Sequence, residues 1–344
     1  MSQNAVNSLG EQSVRLPVPV YIRNSASVVG KKEGEGPLGL LFDMIGEDDM
    51  FGCESWEDAE SSLQKDAVYL ALGKAKLKAE DMKYIFAGDL LGQSIATSFG
   101  IMNYGIPLLG VYGACSTCGE SLSLGAMAIA GGYAENVVCV TSSHFASAEK
   151  EFRYPLAYGS QRPLSATWTV TGSGAFVLSS EMGESSRAVI TGITTGKIVD
   201  YGLKDSMNMG ACMAPAAAST IAQHFIDWNR QPEDYDKIIT GDLGSVGQTV
   251  LISLLRERGY DISEKHMDCG MEIYDPVSQD THAGGSGCGC SAVTLSAYIL
   301  KNLEQKNWNR VLFVPTGALL SKTSFNEGQT VPGIAHGVVI EAIS

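Results

Sequence analysis

The sequence predicts a layered α/β fold made of two related halves. Three features lead there: apolar runs of strand length, helical stretches alternating with them, and motifs that recur in the same order in both halves. The runs are KYIFAG (83–88), PLLGVYG (107–113), NVVCVTSS (136–143), GAFVLSS (174–180), KIITG (237–241), RVLFVPTG (310–317) and GVVIEAI (337–343). They are nearly continuous rather than alternating in polarity, as strands covered on both faces require. Helical patterns span about 55–76, 115–131, 214–228, 248–258 and 290–305. Alternation of this kind stacks helices on sheets, and the 39 glycines suit short turns between them.

The recurrence is specific in its order. EDMKYIFAGDL (80–90) and EDYDKIITGDL (233–243) share Glu, Asp, Ile and Gly-Asp-Leu at the same spacing. NVVCVTSSH (136–144) answers to RVLFVPTGA (310–318), and GSGAFVLSS (172–180) to AHGVVIEAI (335–343). The segment at Cys115 answers to GGSGCGCSA (284–292). The period is far longer than that of a solenoid. The expectation is therefore a duplicated unit, one half at 15–182 and the other at 187–344, packed about a pseudo-twofold axis. Equivalent strand ends then meet, and the Cys115 turn faces the 284–292 turn across one pocket.

Composition narrows the function. A chain of 344 residues, 44% hydrophobic, can bury a large core. The formal charge is −14 and no run of Lys and Arg tracks a phosphate backbone, so nucleic acid is not an expected partner. The cysteines Cys53, Cys115, Cys118, Cys139, Cys212, Cys269, Cys288 and Cys290 are irregularly spaced and several sit in apolar runs. They read as buried thiols of a reducing compartment, not as a disulfide framework. The first residues lack the basic patch and apolar core of a signal peptide. No apolar run reaches the roughly 18 residues of a membrane span. Any membrane role is expected to be peripheral, through partners.

GVYGACSTCGES (110–121) puts Cys115 where an apolar run stops and a helix begins. There the helix dipole and free N–H groups favour a thiolate, while a tight turn needing a small residue explains the cysteine equally. Asp89 and Asp242, the acids of the repeated Gly-Asp-Leu, are either turn aspartates accepting backbone N–H bonds or acids facing the pocket. Among the histidines, His224 lies in a helical run, and His266 and His336 read as structural. His144 ends a strand in the Cys115 half and is a candidate for the pocket; His282 adjoins the glycine loop. Cys115-Ser-Thr-Cys118 has a redox-like spacing but falls inside the repeat. Cys288-Gly-Cys290 is not a typical zinc half-site, so no metal centre is expected.

These residues resemble the thiolase superfamily, duplicated five-layered αβαβα proteins with a nucleophilic cysteine at a strand–helix turn. The resemblance is closer still to the stage V sporulation protein AD family. It is carried by NSASVVGKKEGEGPLG (24–39), AGDLLGQ (87–93), YGACST (112–117), TSSHFASAEKEFRYPLAYGSQRP (141–163), TVTGSGA (169–175), MAPAAASTI (213–221), HAGGSGCGCSAV (282–293) and GALLSKTS (317–324). It implies a non-enzymatic protein that binds dipicolinic acid (pyridine-2,6-dicarboxylate) or its calcium chelate. Such proteins act beside membrane-embedded partners that move this solute into the forespore and release it at germination. The thiolase enzymes carry His, Asn or a second Cys on three loops of the second half. Here those loops read TGDLGSVG (240–247), AGGSGCG (283–289) and PTGALLS (315–321), with Asp242 in place of the expected base. A nucleophile needs a base within hydrogen-bond reach, so condensation or thiolysis is not expected, although His282 is close enough in sequence to substitute.

Dipicolinate is flat, with two carboxylates flanking a ring nitrogen. It needs donors or a cation at both ends and a slot between them, and two opposed helix N-termini suit two carboxylates. The expected ligand residues are Cys115, Asp89, His144, Arg153, Tyr158, Asp242, Ser286, Gly287 and Cys288. Arg162 and Lys197 are further candidate cations, and Tyr154 a further ring or hydroxyl contact. A bare carboxylate beside this ligand repels it unless calcium or a proton intervenes. The expectation is a homodimer on the cytoplasmic side of the spore inner membrane, held there by its partners. It uses no cofactor, and calcium enters only as the ligand's own ion. An acyltransferase using Cys115 with a non-standard base is the alternative, and a scaffold that only docks membrane partners is a third reading.

Overall fold

The computed structural model describes residues 7–152 and 161–343. Its strands are β1 (Ser13–Val29), β2 (Tyr84–Gly88), β3 (Leu108–Gly110), β4 (Asn136–Ser143), β5 (Gly172–Ser179), β6 (Ala188–Thr194), β7 (Lys237–Thr240), β8 (His266–Asp268), β9 (Arg310–Val314) and β10 (Gly337–Glu341). The main helices are α1 (Trp56–Ala75), α2 (Ile95–Ile101), α3 (Thr117–Ala130), α4 (Phe145–Phe152), α5 (Met209–Trp228), α6 (Gly244–Glu257) and α7 (Cys288–Thr294). The last runs on through a π-helical stretch, Leu295–Ile299, into Leu300–Glu304.

The strands follow the order β8-β7-β9-β10-β6-β1-β5-β4-β2-β3. Read from either edge inward, the sequence of strands is the same: third, second, fourth, fifth, first of each half. The sense matches too. The third, second and fourth strands of each half run parallel, and the fourth, fifth and first alternate antiparallel. The two sets join where β1 pairs antiparallel with β6.

Side-chain alternation along these strands separates three cores. Ile85, Val138, Val140 and Val177 point outward to Leu63, Ala67 and Ala71 of α1. Ile238, Leu312, Val314 and Val339 point outward to α5 and α6, against Ile221, Phe225 and Leu251. Phe86, Val137, Phe176, Ile239, Val311, Phe313 and Val338 point inward to α3 and α7, against Leu122, Ala126, Val293 and Leu300. The result is five layers: helices, sheet, the α3/α7 pair, sheet, helices. Each sheet is covered on both faces, which is why its strands read as unbroken apolar runs.

The strands that the apolar pattern missed are β1, β6 and the short β8. β1 carries Pro17 and Pro19 at an irregularity between Arg15 and Val20, where its pairing with β6 shifts register, and its inner half is polar in Asn24, Ser25 and Ser27 although buried. No helix is long and apolar enough to cross a membrane among the described residues.

The central layer is tightly filled. A Cβ on Gly174 of β5 would lie 2.7 Å from the Ala292 Cβ of α7. Gly73, on the exposed side of α1, has nothing within 4 Å of the same position. Gly174→Ala is therefore expected to destabilise by about 1–3 kcal/mol through overpacking. Gly73→Ala is expected to stabilise by about 0.5–1 kcal/mol through helix propensity. Urea unfolding of the two variants should move in opposite directions.

Candidate functional site

The Cys115 turn is tied by its own hydroxyls. Ser116 Oγ donates to the Gly113 carbonyl at 2.7 Å, Thr117 Oγ1 donates to the Ala114 carbonyl at 2.6 Å, and Gly113 N–H donates to Thr117 Oγ1 at 3.0 Å. Ala114 is held at φ +50°, a left-handed conformation uncommon for alanine. The turn leads directly into α3 and leaves Cys115 only 8% exposed.

From the second half, three segments meet this turn. Asp242 follows β7. Its carboxylate accepts from Thr316 Oγ1 at 2.8 Å and from Gly287 N–H at 2.9 Å, and it stands close enough to Cys115 for its charge to bear on the thiol. Gly287 caps α7 at φ +102°, where a Cβ would lie 2.6 Å from Ser143 Oγ. Only glycine fits there, and its N–H is thereby aimed at Asp242. Cys288 is fully buried and its thiol donates to the Ser142 carbonyl at 2.9 Å. Gly317, after Thr316, packs on the turn: a Cβ there would lie 2.3 Å from the Gly113 carbonyl oxygen. Leu90 and Ala148 complete an apolar cluster with Cys115 and Cys288. The half-exposed Tyr112 stands close enough for both thiols to bear on its phenol.

Electrostatics here follow burial. The Cys115 thiol is pushed well above the usual thiol range, first by desolvation and then by the charge of Asp242. Burial raises Asp242 to about 7, opposed by its hydrogen bonds from Gly287, Cys115 and Thr316. The proton therefore stays on sulfur, and Asp242 holds Cys115 as a thiol instead of drawing it toward thiolate.

Asp89, the counterpart of Asp242, is committed elsewhere. It accepts from Leu91 N–H at 2.8 Å, Thr97 N–H at 2.8 Å and Thr97 Oγ1 at 2.6 Å, all belonging to the turn into α2 and its first residues. In the second half Asp268 does this work, accepting from Thr240 Oγ1, Leu243 N–H and Gly244 N–H at 2.6, 2.9 and 3.0 Å. Asp242 is thereby free to face Cys115.

His144 is also committed. Nδ1 accepts from Ala146 N–H at 3.1 Å and Nε2 donates to the Asp49 carbonyl at 2.7 Å. His282 is pinned between the Pro163 carbonyl and Asp280, 2.9 and 3.1 Å away. His224, His266 and His336 bond within their own elements' surroundings, to Thr194 and Tyr235, to Thr240 and Gln248, and to Gly196. Ser286 lies in a two-residue strand, Gly285–Ser286, paired with Trp168–Thr169, its carbonyl accepting from Val170 N–H at 2.8 Å. Arg162 bonds Asp280 and lies over the ring of Trp168; Lys197 is a surface partner of Glu11. Arg153, Tyr154 and Tyr158 lie outside the described residues. The structure thus brings together Cys115, Asp242, Gly287 and Cys288. Thr316, Leu90, Ala148 and Tyr112 were not anticipated. Thr316 had a signal: in the repeat it stands opposite Ser142, the residue beneath Cys288.

Five layers, with a cysteine turn of one half opposed by an acid and a glycine turn of the other, define a thiolase-fold protein. Solved structures of that fold cover the chain almost end to end. The 3-oxoacyl-[acyl-carrier-protein] synthase III of Aquifex aeolicus VF5 is 13% identical with a TM-score of 0.58, covering 94% of this chain and 99% of its own. Human mitochondrial 3-ketoacyl-CoA thiolase in complex with CoA is 13% identical with a TM-score of 0.58, covering 96% and 99%. Within this class the chain belongs to the Stage V sporulation protein AD (SpoVAD) family, whose profile matches residues 10–341. The relative of that name from Bacillus subtilis (strain 168) is 46% identical over 332 residues, 96% of this chain and 97% of its own length.

Behind Cys288 lies a second buried acid, Glu60 of α1. Ser142 Oγ donates to its Oε1 at 2.9 Å, and Ser147 Oγ lies 2.6 Å from Oε2 and 3.1 Å from the His144 carbonyl. Ser147 has one proton for two acceptors. The arrangement is satisfied when Glu60 carries its own proton and donates to Ser147, which donates to His144. Burial, with Asp89 nearby, raises Glu60 to about 8. An acid raised in the folded state stabilises most below its unfolded pKa, and that stability is lost as pH rises through the folded value. Stability of the wild type relative to Glu60→Gln is therefore expected to fall by about 1.4 kcal/mol per pH unit between about pH 5 and 8. Parallel urea titrations across that range would read the difference.

Proposed function

We propose that the chain binds dipicolinic acid, free or as its calcium chelate, at the Cys115 pocket and performs no acyl transfer. One observation carries this reading: Asp242, which accepts from Gly287 N–H and Thr316 Oγ1, bears on the Cys115 thiol and raises it, and among the described residues every histidine is bonded elsewhere. Attack by the thiol needs a base that takes its proton. A carboxyl near 7 opposite a thiol far above it leaves the nucleophile's position occupied and its chemistry unsupported. Gly287 N–H and Thr316 Oγ1 are donors beside the buried apolar cluster of Leu90, Cys115, Ala148 and Cys288, where the ligand would lodge. Such a lining suits a flat carboxylate better than a flexible acyl chain. Membership in a sporulation family supports dipicolinate as that ligand. Calcium, where it takes part, enters as the ligand's chelated ion. The chain acts on the cytoplasmic side of the spore inner membrane, attached through membrane-embedded proteins of the same transport system.

Titration calorimetry with dipicolinate, with and without calcium, checks the assignment. Saturable binding to the wild type is expected, weakened about tenfold or more in Cys115→Ala and Thr316→Val, which each remove a donor or part of the apolar cluster. Wild-type chain that binds neither form would overturn the reading. Iodoacetamide labelling of Cys115 at neutral pH, together with acyl transfer from acyl-CoA, would favour the acyltransferase.

The proposal includes a second copy of the chain. The edge strands of the two halves differ: β8 is buried, whereas Leu108, Leu109 and Gly110 of β3 are all exposed. Beside β3, Ile95, Phe99 and Met102 of α2 and the turn after it form one exposed apolar stripe. An unpaired edge strand with apolar neighbours is a template for strand pairing, and an isologous pairing of β3 with its own copy closes it. Analytical ultracentrifugation is expected to give a dimer for the wild type and a monomer for Phe99→Glu combined with Leu109→Glu. A monomeric wild type would refute the pairing.

A further inference from the structure

The geometry points to a proton-coupled site: a free dicarboxylate enters the Cys115 pocket together with one proton, taken up by the carboxylate of Asp242. This rests on the reading above that the pocket receives an anion.

Among the described residues, none of the groups found to act on Asp242 is positively charged. Among the described residues, the titratable groups that bear on it include Cys115 on the α3 turn, Cys288 and Cys290 on α7, Cys269 after β8, and Asp268 at the end of β8. Every one is a thiol or a carboxyl. Behind Cys288, the acids Glu60 and Asp89 bear on the same space. Lys197 is at the surface with Glu11, and Arg162 pairs with Asp280 through one of its terminal nitrogens.

A ligand carboxylate seeking Gly287 N–H and Thr316 Oγ1 must displace, or lie against, the Asp242 oxygens that now accept from them. Two ionised carboxylates in contact inside a buried site cannot both stay charged, and one takes a proton. Asp242 is the group placed to do so. Protonated, it changes from acceptor to donor, so its new O–H points at the incoming oxygen and Gly287 N–H is released to the ligand. The step balances simply. One O–H bond forms on Asp242, the proton comes from solvent, no bond breaks and nothing is oxidised. Burial already holds Asp242 near 7, so the uptake falls in the neutral range. Where the ligand arrives as its calcium chelate, the ion cancels the charge and no proton is required.

Calorimetry of the full chain with dipicolinate at about pH 8, in two buffers of different ionisation enthalpy, tests this. About one proton taken up per dipicolinate is expected, with affinity falling about tenfold per pH unit from about pH 7.5 to 9. The calcium chelate should show uptake near zero, and Asp242→Asn should bind free dipicolinate with neither uptake nor pH slope. Dipicolinate binding that is flat with pH and independent of buffer would overturn the coupling while leaving the binding site standing. The wild-type measurements alone decide this, should the variant not fold. Absence of binding at every pH would instead remove the binding reading, and the coupling with it.

Discussion

Burial of α3 and α7 between two sheets is the constraint on which the rest of the structure depends. The layer is buried along nearly all of its length, with Leu124 of α3 an exception that reaches solvent. Its helices must be small where they touch strands, and the strands small where they touch helices, as Gly174 against Ala292 and Gly125 against Cys139 show. Polar chemistry is then confined to the helix N-termini at the ends of the strands. Those N-termini belong to opposite halves, so packing of the layer itself brings the Cys115 turn against Gly287 and Asp242.

The duplication is exploited by breaking it. Both halves carry Gly-Asp-Leu after the second strand, and both need an acid to satisfy the N–H groups that follow. In the first half Asp89 does this and nothing more. In the second half Asp268, from the neighbouring strand, takes over. A buried carboxylate without a structural duty costs stability unless it is well hydrogen-bonded. Thr316, Gly287 and Cys115 supply those bonds to Asp242. The hydroxyl pair Ser142 and Thr316 repeats the pattern: equivalent positions, one serving Glu60 and the other Asp242.

This arrangement sets the cysteine turn of a thiolase fold opposite a buried carboxylate. The turn, the left-handed Ala114 and the helix behind it persist, because they are what the close approach of two halves requires. What has changed is the opposing group. A carboxylate facing a thiol in a dry pocket raises the thiol's pKa, the reverse of what a nucleophile needs. Membership in the SpoVAD family and likeness to thiolase-fold structures are compatible, since one fold hosts different sites.

Much of this was legible in the residues. Continuous apolar runs announced two-sided strands, the ordered recurrence announced two halves, and Gly-Ala-Cys-Ser-Thr announced a turn at a helix start. The Asp242 substitution at a thiolase base position was visible as a departure. Local pattern could not show β1, where prolines and buried serines hide a long strand that pairs on both sides. Nor could it tell Asp89 from Asp242, since both sit in the same tripeptide. His144 looked free because its partner, the Asp49 carbonyl, comes from a loop far away in sequence. The sequence by itself determined the layers, the repeat and the cysteine turn, because these rest on periodicity and short-range backbone preference. Only the tertiary structure decided which acid meets Cys115 and which histidines are spent, because hydrogen-bond partners are allotted by packing between distant segments, and equivalent residues in a repeat need not receive equivalent neighbours.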